Sequence, residues 1–99
     1  MLFFVDISVD TKDLTIDELW DLWAKEAQAT GEVPEGLMVG MWKVVAQRRI
    51  VGVLNAESHA QIDRMLMAGL PMSHYLEINE ITPIRDYADF ARDIINRWK

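Results

Sequence analysis

The chain contains no cysteine. That excludes a disulfide framework, a thiol nucleophile and any Cys-type zinc site. Nor is there an apolar run of about 18 residues, so no segment reads as a membrane-spanning helix. Basic residues are scarce, with 10 Lys and Arg against 16 Asp and Glu for a net charge of −6. An acidic chain whose basic run is only Arg48-Arg49 is a poor partner for phosphate backbones or anionic membranes. The 3 prolines and 5 glycines are scattered and form no linker, and no internal repeat or low-complexity tract occurs. There is no Gly-rich phosphate loop, nucleophile elbow or dinucleotide fingerprint. His59 and His74, fifteen apart and without neighbouring ligand residues, make no metal motif. The N-terminus opens on a strand-like segment without a basic stretch or cleavage site, so it does not read as a secretory signal, and a cytoplasmic protein fits. An enzyme built from this inventory is expected to work by acid–base chemistry without cofactor or metal.

What remains is ordinary for one globular domain of 99 residues, with 51% hydrophobic and 26% charged side chains. Four tryptophans are many for so small a core, which favours self-association. Met1–Val9 alternates, with Phe3, Val5, Ile7 and Val9 on one face and Leu2, Phe4, Asp6 and Ser8 on the other, as in a strand. Thr15 and Glu18 form a capping box for a helix with an apolar stripe of Ile16, Leu19, Trp20, Trp23 and Ala27, stopped at Gly31. Glu32–Gly40 reads as a loop, and Met41–Gln47 and Ile50–Leu54 as a hairpin turning at Arg48-Arg49. Ser58 and Gln61 suggest a second capping box, with Ile62, Met65 and Leu66 as the stripe and Gly69 and Pro71 as stops. Tyr75–Ile81 is a strand whose apolar parity changes between Ile78 and Ile81, which predicts a β-bulge near Asn79-Glu80. Asp86 caps a last helix, with Tyr87, Phe90, Ala91, Ile94 and Trp98 along one side. The order β-α-β-β-α-β plus a helix is the ferredoxin-like α+β pattern: a four-stranded antiparallel sheet with two helices on one face. The uncovered face is expected to meet a second copy in a dimeric αβ-barrel arrangement, with a pocket between the sheets.

Glu26 is the most informative polar residue. At about 100° per residue it lies ~20° from Leu19 and ~40° from Leu22, inside the apolar stripe. A carboxylate there is partly desolvated, its pKa should rise, and it then suits proton transfer at carbon near neutral pH. The same position also suits an edge-of-stripe carboxylate that reaches solvent or pairs with Lys25 or an arginine. Asp6, Phe4 and Ser8 project from the uncovered sheet face, and Lys43 and Gln47 are expected on that face too, as a pocket floor or as a solvated or interface surface. Arg48 and Arg49 can hold a substrate carboxylate with forked hydrogen bonds or simply be solvated at a hairpin tip. His59 sits on an exposed first turn and reads as structural. His74, beside Tyr75, can reach a pocket mouth or be incidental.

The chain resembles the muconolactone Δ-isomerase family. The likeness runs from Met1-Leu2-Phe3 and Val5 through Glu26 and Trp42-Lys43. It is most specific at Glu57-Ser58-His59, Gly69-Leu70-Pro71, Tyr75-Leu76-Glu77-Ile78 and Ile81-Thr82-Pro83, and it spans roughly residues 1–85. The resemblance implies a ferredoxin-like fold in a decamer, with the C-terminal segment, residues 86–99, reaching onto a neighbouring subunit. It implies a double-bond shift in a small unsaturated lactone through a dienolate, with Glu26 as the base. Departures fall at substrate-facing positions: Phe4 and Asp6 replace a His/Lys pattern, Arg48-Arg49-Ile50 replace a polar and aromatic hairpin, and Ser73-His74 replace Phe-Pro. The expectation is therefore a cofactor-free isomerase of a small lactone or related carbonyl compound. Its catalytic residues would be Glu26 and Asp6. Phe4, Ser8, Lys43, Gln47, Arg48, Arg49, His74 and Tyr75 would line the substrate site. A related cyclase, a cofactor-free αβ-barrel monooxygenase and a non-catalytic ligand-binding or assembly module are the alternatives.

Overall fold

The computed structural model describes residues 1–99. β1 (Leu2–Val9) runs down the middle of the sheet, and α1 (Ile16–Thr30) returns over it. The Thr15 hydroxyl accepts the Glu18 N–H and the Glu18 carboxylate accepts the Thr15 N–H, so the predicted capping box is formed, and Gly31 ends the helix. β2 (Met38–Lys43) and β3 (Arg49–Asn55) form the hairpin. α2 (His59–Arg64) runs into one π-helical turn (Met65–Gly69), and a 3-10 turn (Ser73–Tyr75) leads into β4 (Leu76–Ile84). α3 (Tyr87–Ile95) closes the chain. All strand pairs are antiparallel in the order β2-β3-β1-β4, which is the ferredoxin-like sheet.

Phe3, Val5 and Ile7 pack with Leu37, Leu54, Ala56, Ile62 and Leu66 in one core cluster, while Val9, Leu19 and Met72 form a smaller one. The odd-numbered side of β1 is thus the side the helices cover. The bulge in β4 is present: Asp6 pairs with Glu80 and Ile7 with Ile78, leaving Asn79 as the extra residue.

Three local expectations are corrected. First, β2 starts and stops earlier than Met41–Gln47. Leu37 C=O accepts the Asn55 N–H at 2.7 Å, and Met38 then pairs with Leu54. At the other end Ala46 takes φ 64°, Gln47 N–H reaches Val44 C=O at 3.2 Å, and the β-branched Val44-Val45 begin the turn instead of extending the strand. Second, Gln61 does not complete a box with Ser58. Ser58 Oγ accepts the Gln61 N–H, but the Gln61 side chain accepts the Glu57 N–H. Third, Lys43 does not share a face with Asp6. It pairs with Ile50, which pairs with Ile7, so it lies on the helix-covered face.

Candidate active site

Glu26 lies two helical turns after Leu19, the residue that seats α1 on the core, so the same stripe carries its carboxylate inward. Only 6% of Glu26 is exposed. One carboxylate oxygen, Oε1, accepts the Met72 N–H at 2.9 Å. The other, Oε2, is buried and has no hydrogen-bond partner in the protein. Burial pushes the carboxyl pKa up, and the Met72 N–H, which favours the anion, pulls it back by less.

Glu26 opens on a cavity of about 930 Å³ between α1, strands β1–β3 and the turn after α2. Trp20 and Trp23 of α1, Met38 and Met41 of β2, and Met65 and Leu66 of the π-helical turn supply much of its wall. Sixteen of the 22 lining residues are hydrophobic, and Glu26 is the one carboxylate among them. Lys43 and Arg48 are the two cations, with Gln47 between them in sequence. Lys43 is here because of its register with Ile50 and Ile7, and its Nζ donates to Val44 C=O at 3.0 Å. An apolar cleft with a few polar groups at chosen points is the usual form of a small-ligand site. A buried carboxylate that lines the same apolar cavity as two cations has the group types needed to take a proton from carbon and to stabilise the oxyanion that results.

Glu26, Lys43, Gln47 and Arg48 are therefore brought together on the helix-covered side. The remaining candidates are not. Asp6 pairs with Glu80 and Val51 and faces the uncovered side of the sheet, so the expectation that it stands with Lys43 and Gln47 is corrected by one residue of strand parity. Its carboxylate forms an ion pair with Arg49 through both nitrogens Nε and Nη2. Asn79 donates to the same Asp6 at 3.1 Å and to Ser8 Oγ at 2.7 Å, a reach that the bulge provides. Those bonds, Arg49 first, lower the Asp6 pKa to about 2. Phe4 and Ser8 share that face. His74 is exposed and Tyr75 is half-buried, and neither lines the cavity. Lys12 holds this corner, donating to His74 C=O at 2.8 Å and lying 5.4 Å from the Tyr75 ring centroid.

Sequence reasoning missed the Met72 N–H and most of the apolar wall. The wall had a signal: Trp23 lies three residues before Glu26 and so shares its helical side. The backbone donor had none, since it depends on where the chain turns after α2.

Fold and site together define a ferredoxin-like α+β domain built around an apolar cavity with one buried acid. A sequence model described as muconolactone delta-isomerase matches residues 1–89, and the chain belongs to that family. Eight chains of solved structures match. Among them is the crystal structure of muconolactone isomerase, which aligns with a TM-score of 0.72 at 25% identity over 87% of this chain and 91% of that one. No curated protein sequence matches. Family and fold support an isomerase-type function.

Proposed function

We propose that the protein is a cofactor-independent isomerase that moves a C=C bond in a small unsaturated lactone or related carbonyl compound. The observation that carries this reading is Glu26, a residue of the apolar cavity's lining whose buried carboxylate has one oxygen held by Met72 N–H and the other unpartnered. Oε2 takes a proton from the carbon conjugated to the carbonyl. The C–H electron pair delocalises into a dienolate whose charge rests on oxygen. Lys43 and Arg48 stabilise that oxygen or hold an acidic group of the substrate, because both line the cavity and neither has a carboxylate partner. The protonated Glu26 then returns the proton to a carbon two positions away. The sum is a shift of one proton and one double bond, with no other reactant. Asp6 and Arg49 belong to the sheet and not to the reaction, since they neutralise each other on the far face.

The protein is further proposed to act as a homo-oligomer in which residues 86–99 pack on a neighbouring subunit. The apolar side chains of α3 and of the turn after it support this. Tyr87 on the helix is 77% exposed, and Trp98, which lies three residues past the helix end and not on the helix as expected, is 65% exposed.

The test is proton exchange in D₂O, followed by NMR, with muconolactone and a panel of enol-lactones. Glu26→Gln should lower kcat by ~10²–10⁴, the range for loss of a general base. Undiminished turnover by that variant would remove Glu26 from the mechanism.

A further inference from the structure

The peptide group that holds Glu26 comes from an irregular stretch of backbone. α2 leaves α-helical geometry at Met65, makes one wide turn to Gly69, passes through Leu70–Met72 and tightens into the 3-10 turn at Ser73. Single π-helical turns are rare and collect at functional sites. This one closes on Gly69, where a Cβ would come within 2.9 Å of the Arg64 carbonyl oxygen.

Ser73 ties the stretch together. Its Oγ accepts the Leu70 N–H at 3.0 Å and donates to the Met65 C=O at 3.1 Å. Met65 and Leu70 are five residues apart, the spacing of a π-helical hydrogen bond, and the hydroxyl stands between the two groups. Ser73 N–H also reaches Leu70 C=O at 3.0 Å, and Tyr75 N–H reaches Met72 C=O at 2.8 Å. Met72 is caught between these bonds. Its residue is wholly buried at 0% exposure, packed with Val9 and Leu19, and its N–H is directed at Glu26 Oε1. Ser73 is itself only 7% exposed.

We propose that Ser73 is a positioning residue for Glu26: its hydroxyl locks the wide turn so that the Met72 N–H stays on Oε1 and Oε2 remains the oxygen that exchanges protons. This deepens the reading of Glu26 as the acid–base group, yet its first test does not depend on that reading. The physical consequence follows from the two opposed influences on the carboxyl. Burial favours the neutral acid, and a charge-assisted bond from Met72 N–H favours the anion. When the N–H drifts away, burial acts alone, and Glu26 stays protonated to higher pH, so at a given pH a smaller fraction is the anion that can accept a proton. A serine that merely satisfied Leu70 N–H and Met65 C=O would affect folding stability and leave the Glu26 titration where it was.

The experiment is a ¹³C NMR titration of the Glu26 side-chain carboxyl, assigned with Glu26→Gln, in wild type, Ser73→Ala, Ser73→Thr and Ser73→Cys. Ser73→Ala should displace the midpoint upward by about one pH unit, the size expected on losing one hydrogen bond to a charged group. Ser73→Thr, which keeps the hydroxyl, should restore it. Should Ser73→Ala not fold, Ser73→Cys, with a weaker donor and acceptor, should show a smaller displacement in the same direction. An unmoved midpoint in a folded Ala or Cys variant overturns the proposal, whatever happens to the melting temperature. With an active substrate, the acid limb of the pH–rate profile of Ser73→Ala should move upward and follow the NMR midpoint. A moved midpoint beside a fully active Glu26→Gln would keep the positioning relation and end the base assignment. An unmoved midpoint beside an inactive Glu26→Gln would do the reverse.

Discussion

Two carboxylates make opposite demands on folding, and the contrast separates the proposed acid–base group from one held in an ion pair. Asp6 is stabilised as an anion by Arg49 and Asn79, which lower its pKa to about 2. Its contribution to stability is complete above the ordinary aspartate range and is lost as pH falls toward 2. Glu26 is raised by burial, so the folded state favours its proton. Its contribution is complete below the ordinary glutamate range and is lost as pH rises through the elevated value. Urea midpoints measured from pH 2.5 to pH 8 should show both limbs. Asp6→Asn should be less stable than wild type at neutral pH and should lose the acid limb. Glu26→Gln should match wild type near pH 4 and exceed it at pH 8. Curves that run parallel for all three proteins would mean that neither carboxylate differs between folded and unfolded chains. A gain in stability on removing Glu26 would also fit a group kept for chemistry at a cost to folding.

The elements show which parts of the site were legible in the sequence and which were not. The helix period located Glu26 on the buried stripe of α1, because a regular helix fixes direction residue by residue. The change of apolar parity in β4 located the bulge at Asn79 for the same reason. The face of Lys43 was not legible. It depends on a register shift between Met38 and Gly40 and on a turn that consumes Val44 and Val45, neither of which leaves a mark in the alternation. The placement of Arg48 beside the cavity and of Arg49 beneath the sheet follows from that turn. Two adjacent arginines of identical chemistry thus end on different faces. The hairpin that sets this register also has a tight crossing, because a Cβ on Gly52 would stand 2.8 Å from the Gly40 carbonyl oxygen. Backbone cannot move aside as a side chain can, so Gly52→Ala should destabilise the fold by about 1–3 kcal/mol, the usual range for overpacking. Chemical denaturation measures it. A neutral Gly52→Ala would show that β2 and β3 can separate at this point without loss, and the face assigned to Lys43 would then rest on no rigid pairing.

At the scale of the whole molecule the chain is longer than its core requires. Its radius of gyration is 16.0 Å, against about 13 Å for a compact chain of this length, and it measures 56 × 26 × 18 Å. α3 has no buried residue. It is nonetheless an ordered helix with its own aromatic cluster. Asp86 caps it through the Ala88 N–H, Phe90 lies 5.8 Å from Tyr87 and 6.0 Å from Trp98, and Arg85 pairs with Asp93. Side chains arranged on one face of a helix but left open gain little from folding in a lone chain, and burying one fully is worth about 1.5–3 kcal/mol. This is the physical basis for the proposed packing of residues 86–99 on a neighbour. Truncation after Arg85 should then leave the circular dichroism of the sheet and α1 intact, since the two core clusters and the side chains packed on them lie within residues 3–76. It should lower the assembly mass measured by light scattering. Phe90→Asp with Trp98→Asp should do the same in the full-length chain. A truncated protein of unchanged subunit number would show that α3 takes no part in assembly. A truncated protein that unfolds would show that the domain depends on α3 for its stability, and the double aspartate variant would then decide whether the helix acts within its own subunit or on the next.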